Sequence, residues 1–141
     1  MVLWILIAGV LYALFDFFVA KGSVHSDAFA ANGIFNGIGA LLPLLVFVVL
    51  RARHTQGHTS KYGVIMDVIA GVLIAVFSVI LVKLFARGGN LAYVLPAIYG
   101  LVVVFGALLG HFVLKEQVSM LQMAGIVVTA LGVGMIVLAK A

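Results

Sequence analysis

Asp16, Asp27, Asp67 and Glu116 are the four acids of this 141-residue chain, and Asp16 and Asp67 fall inside long apolar runs. A carboxylate placed in hydrocarbon costs at least ~2.5–3.5 kcal/mol, so such a group is turned inward, paired, or used to hold a solute or a proton. Asp16 precedes Lys21 by five residues, roughly 7 Å below that helix end. Lys83 comes about as close to the same face, and Asn32 and Asn36 reach a similar level. An Asp16–Lys83 ion pair is geometrically possible. Two readings stand for this layer: a substrate or coupling-ion site, or a structural pair fastening two helices.

Asp67 and His111 form a second candidate polar layer from the opposite face, where an imidazole could titrate near neutral pH. Both are close enough to a surface to snorkel, and interfacial anchoring is the preferred reading. Pro96, in Tyr93-Val-Leu-Pro96-Ala-Ile-Tyr99-Gly100, removes a backbone hydrogen bond and predicts a helix kink of the kind around which transporter sites are built. Tyr93 and Tyr99 are six residues apart and face different directions, so at most one lines a cavity; Tyr99 is the candidate, and Tyr93, like Trp4, suits an interfacial aromatic belt. His54 and His58 have an i, i+4 spacing but Gly57 between them and no acidic or cysteine companion, so no metal site is expected. A Walker loop, a nucleophile elbow and paired catalytic carboxylates are all missing from the sequence. No enzyme and no cofactor is expected.

The elements that must position these groups are membrane helices. The chain is 66% hydrophobic and 9% charged, with mean hydropathy +1.37, against roughly 25% charged residues in a soluble domain. Its apolar blocks run over about 2–20, 28–50, 62–82, 91–114 and 118–139, each near the ~20 residues that cross ~30 Å of hydrocarbon. The expectation is an all-α, multi-pass membrane protein, one five-helix domain over 1–141. The opening Met-Val-Leu-Trp has no basic residue before the apolar core, so the first block is expected to stay as a helix rather than be cleaved as a signal. A pI near 9.7 comes from cations dispersed singly at helix ends, which suits membrane anchors and not a nucleic-acid surface. With no cysteine, disulfides say nothing about compartment.

Five crossings put Arg51, Arg53, Lys61 and Lys115 on one face and Lys21, Lys83, Arg87 and Lys140 on the other. Lys and Arg bias sets orientation, so a four-against-four tie removes the usual instruction. The expectation is insertion both ways and an antiparallel homodimer, the unfused form of an inverted repeat. Sixteen glycines fit close helix packing: Gly33/Gly37 and Gly106/Gly110 are GxxxG pairs, and Gly125 and Gly132 share a face of the last helix and are the candidates for dimer packing.

From Val94 to Val133, the run Leu-Pro96-Ala-Ile-Tyr-Gly, then Gly110-His-Phe-Val-Leu-Lys-Glu116, then Gly125 and Gly132, resembles the closing two helices of an EamA-type drug/metabolite transporter repeat. The stretch Ala13-Leu-Phe-Asp16-Phe-Phe-Val-Ala-Lys21 resembles its first helix, and the whole looks like the five-helix bacterial/archaeal branch. That resemblance implies passive or proton-coupled movement of a small organic metabolite or drug through a cavity enclosed by two inverted repeats, the second supplied by another copy. It also implies that Glu116 is a recurrent acid connecting the last two helices; its expected role is structural, capping the N-terminus of the fifth, where a negative charge is favoured. Small multidrug exporters are similar more distantly. Aligned on Lys21, this chain has Ala13 where their first-helix glutamate belongs, and Asp16 lies about 4.5 Å further along, which puts their drug–proton exchange in doubt. The alternative is a non-transporting or heterodimeric membrane subunit that needs a paralogous partner.

Overall fold

A computed structural model describes residues 1–52 and 60–140. Its regular elements are five helices: α1 (Val2–Ser23), α2 (Ala28–Ala52), α3 (Lys61–Ala86), α4 (Leu91–Phe112) and α5 (Met120–Lys140). All five are long and apolar enough to span a bilayer. His54 and His58 lie outside the described residues. The chain divides into two compact units, Met1–Gly88 and Gly89–Ala141.

Helix ends follow from caps that hydropathy does not register. The Phe29 and Ala30 amides donate to Asp27 Oδ1 at 2.9 and 3.1 Å, starting α2. Gly63 N–H donates to Ser60 Oγ at 3.0 Å, and Ala92 N–H to Asn90 Oδ1 at 2.9 Å, starting α3 and α4. Ser119 and Gln122 close a capping box, with Gln122 N–H on Ser119 Oγ at 3.2 Å and Ser119 N–H on Gln122 Oε1 at 2.7 Å. Each such cap satisfies amides the helix leaves orphaned. The box starts α5 at Met120, two residues later than the apolar run suggests. α1 and α3 continue past their apolar blocks into Lys21–Ser23 and Lys83–Ala86, because hydrogen bonding along the backbone does not stop where hydrophobicity does.

α4 stops early, at Phe112. Leu114 N–H reaches back to the Leu109 carbonyl at 3.1 Å and Glu116 N–H to the Gly110 carbonyl at 2.9 Å, with Lys115 left-handed at φ 58°. Inside α4, Pro96 has no amide to offer the Ala92 carbonyl, yet the helix continues from Leu91 to Phe112. A second interior proline, Pro43, sits in α2.

In the first unit, packing concentrates at one end. The buried residues are Asp16, Val19 and Ser23 on α1, Ala28 and Asn32 on α2, and Ser78, Leu81, Val82 and Phe85 on α3. They come from the last turns of α1 and α3 and the first turns of α2. Trp4, Leu6, Leu42, Leu45 and Tyr62, toward the other end, are all exposed. In the second unit α4 rests on α5 at Gly100, where an added Cβ would fall onto the Val133 side chain. A Cβ at Gly33, Gly37, Gly106, Gly125 or Gly132 would meet no atom within 4 Å. Apolar surface on this scale is tolerated against lipid or another subunit, not water.

Candidate functional site

α2 carries Asn32 and Asn36 one turn apart, so both amides lie on the face turned to α3. Asn32 Nδ2 donates to the Ala75 carbonyl at 2.8 Å, across to α3. Asn36 Nδ2 donates to Asn32 Oδ1 at 2.6 Å and to the Asn32 carbonyl at 3.1 Å. On α3, Ser78 Oγ donates to the Ile74 carbonyl at 2.5 Å. Asn32 is 7% exposed, where an unpaired amide would be costly, and the relay from Asn36 through Asn32 to Ala75 removes that cost.

Beside this relay is a cavity of about 470 Å³, lined by Tyr12 and Phe15 of α1, Phe35, Asn36, Gly39 and Ala40 of α2, and Ile74, Phe77 and Ser78 of α3. The rings meet edge to face, Tyr12 with Phe15 at 5.6 Å and Phe15 with Phe35 at 5.3 Å between centroids, the geometry ring quadrupoles prefer. Each contributing stretch lies near the middle of its helix. Small residues at Gly39 and Ala40 leave the space that larger side chains would fill.

Asp16 is fully buried, one turn along α1 from Tyr12 and so about 6 Å further toward the packed end. The Lys83 ammonium lies over the Phe29 ring, 4.8 Å from its centre, and Lys21 stands 5.7 Å from the centre of Phe17. These cation–π contacts hold two lysines at the same end of the unit. Asp67 is exposed on α3.

In the second unit Tyr99 and Pro96 are half-buried on α4. His111 is exposed, with Nδ1 3.3 Å from the Glu116 carbonyl oxygen and its ring against Phe112. The Glu116 carboxylate folds back onto α4, where a Cβ added at Gly110 would stand 2.6 Å from its Oε2. Capping of α5 therefore falls to Ser119 and Gln122, correcting the role expected for Glu116. Gly110 serves as the seat of that side chain. A cleft of about 410 Å³ beside it is lined by Glu116, Gln117, Gln122 and Thr129 together with apolar residues of α4 and α5.

A model of the EamA-like transporter family matches residues 1–138. The chain belongs to the EamA-like transporter family. Its five helices fit a single EamA-like repeat, which makes it a multi-pass integral membrane protein of the drug/metabolite transporter type. Comparison with curated proteins and with solved structures gave no match. Within this EamA-like repeat, sequence reasoning singled out Asn32 and Asn36, which the structure brings together. It missed Tyr12, Phe15, Phe35, Phe77 and Ser78, because aromatic and small residues inside apolar helices stand out from their neighbours in neither hydropathy nor charge.

Proposed function

We propose that this chain is a secondary transporter that moves a small organic solute by alternating access in an antiparallel homodimer, with the cavity between α1, α2 and α3 as the solute site. The observation that carries the reading is the cavity itself: mid-helix, ringed by aromatics, bordered by a satisfied polar relay, in a repeat of a transporter family. The one-ended packing of the first unit supports the dimer. A unit closed tightly at the Asp16–Phe85 end has one built gate; an inverted second copy brings the same gate to the opposite face, and alternating access needs both. Gly125 and Gly132, open to any neighbour, suit the contact between copies, and the tied charges allow both orientations.

Asp16 is assigned to ion coupling. A carboxylate fully buried in a membrane helix one turn from a solute cavity is costly to keep there unless it serves a solute or an ion. The test is solute flux into proteoliposomes over a panel of amino acids, polyamines and organic cations, with and without a pH gradient. Wild-type flux that Asp16→Asn abolishes, with the dimer still assembled by cross-linking, is the expected result. Loss of the folded dimer in Asp16→Asn makes that residue structural. Silence of the wild type across the panel refutes homodimeric transport of these solutes and moves weight to a subunit that needs a paralogous partner.

A further inference from the structure

From the hydrogen-bond directions around the α1–α3 cavity we infer that it selects solutes by their donors: it takes organic amines with an apolar or aromatic body and rejects carboxylates of the same shape. The inference deepens the proposed transport function and rests on that reading for its physiological meaning. The selectivity itself is a property of the cavity.

The direction is set outside the cavity and handed inward. The Ala75 carbonyl is a main-chain oxygen and accepts from the Asn32 Nδ2, 2.8 Å away. That orients the Asn32 amide with its carbonyl toward Asn36, whose Nδ2 it receives at 2.6 Å. Asn36 thereby spends its NH2 on Asn32 and keeps its own Oδ1 for the cavity it lines. Ser78 reaches the same state independently, since its proton goes to the Ile74 carbonyl and its lone pairs remain. Tyr12 adds a hydroxyl that accepts as well as donates.

The remaining wall is π surface. Phe15, Phe35 and Phe77 line it, Phe15 and Phe35 packed edge to face, and aromatic faces attract ammonium groups. None of the lining residues, all of them described, carries a cationic side chain. An amine entering this space finds acceptors at two side chains and π faces around its body. A carboxylate finds acceptors at those same two side chains, with the Tyr12 hydroxyl as the one side-chain donor in the lining, and loses its hydration for little in return.

The test is isothermal titration of the purified full-length chain in lipid nanodiscs with three matched probes: 2-phenylethylammonium, 2-phenylethanol and 3-phenylpropanoate. Affinity is expected to fall in that order, with the ammonium at least about tenfold tighter than the carboxylate, the worth of one hydrogen bond to a charged group. Asn36→Leu and, separately, Phe77→Leu, which leaves the relay intact, are each expected to weaken ammonium binding several-fold. Equal or tighter carboxylate binding, no binding of any probe, or ammonium binding untouched by both variants overturns the inference. Its failure is separable from failure of the transport reading: flux without a head-group order defeats the selectivity and keeps the transporter, whereas ordered binding without flux does the reverse.

Discussion

Replacing Gly100 by alanine should destabilise the α4–α5 pair, and the structure says by how much and what should repair it. The new Cβ would overlap one γ methyl of Val133 outright and stand 3.2 Å from the other and 3.0 Å from the Val133 Cβ. Ordinary carbon contacts begin near 3.5 Å, so the two helices must separate or Val133 must leave its rotamer. Overpacking of this kind costs about 1–3 kcal/mol, and the helix-propensity gain of glycine to alanine, about 1 kcal/mol in water, offsets part of it. A net loss of roughly 1–2 kcal/mol is expected. Val133→Ala removes both γ methyls, and with them two of the three clashes, so the double variant should recover most of the loss while keeping a residue of strain from the 3.0 Å Cβ approach. The assay is reversible SDS unfolding in mixed micelles followed by circular dichroism, on wild type, both single variants and the double. A coupling of about 1 kcal/mol or more is expected, as for residues in contact. Additive single effects would refute the claim that Gly100 is the seat on which α5 rests.

Asn32→Ala should cost about 1–2 kcal/mol by the same assay, since interhelical hydrogen bonds in membranes average ~0.6 and reach ~1.7 kcal/mol and Asn32 takes part in both steps of the relay. Asn36→Ala should cost less, because its bonds stay within α2; the reverse order would contradict the relay. Lys115→Gly should stabilise the second unit by about 0.5–1 kcal/mol, the left-handed penalty of a non-glycine residue less the extra entropy of an unfolded glycine, and a destabilised variant would contradict that turn. The same substitution also breaks the charge tie, leaving three cations on the N-terminal face against four. A C-terminal reporter should then be found chiefly in the cytoplasm, while Lys140→Gln should swing it outward; no response to either would refute dual insertion.

The five helices were legible because apolar runs of bilayer length have few other physical solutions. The starts at 28 and 91 coincide with the Asp27 and Asn90 caps, and the ends that were misplaced are those where the apolar run and the backbone hydrogen bonding part company. Ser119 and Gln122 form a capping box that sequence pattern could have exposed, yet hydropathy carried the start of the last helix to 118. Asn32 and Asn36 stood out as amides in hydrocarbon. Their partner did not, since Ala75 contributes a carbonyl that every residue has. Gly100 was one glycine among sixteen, and what distinguishes it is the position of Val133, thirty-three residues away. GxxxG spacing pointed instead to Gly106 and Gly110, and Gly110 proves to hold the Glu116 side chain.

The anchor of the asparagine relay is a main-chain oxygen, and that has a consequence for how descendants of this chain can diversify. Side chains drift, but ordinary replacements at position 75 leave a carbonyl in the same place. Reversing the sense of the relay would mean supplying a new donor on α3 and turning two amides together, with each single step leaving a buried group unmatched. A lineage starting from this chain can enlarge or reshape its cavity one residue at a time, whereas changing the polarity of that cavity requires several substitutions at once.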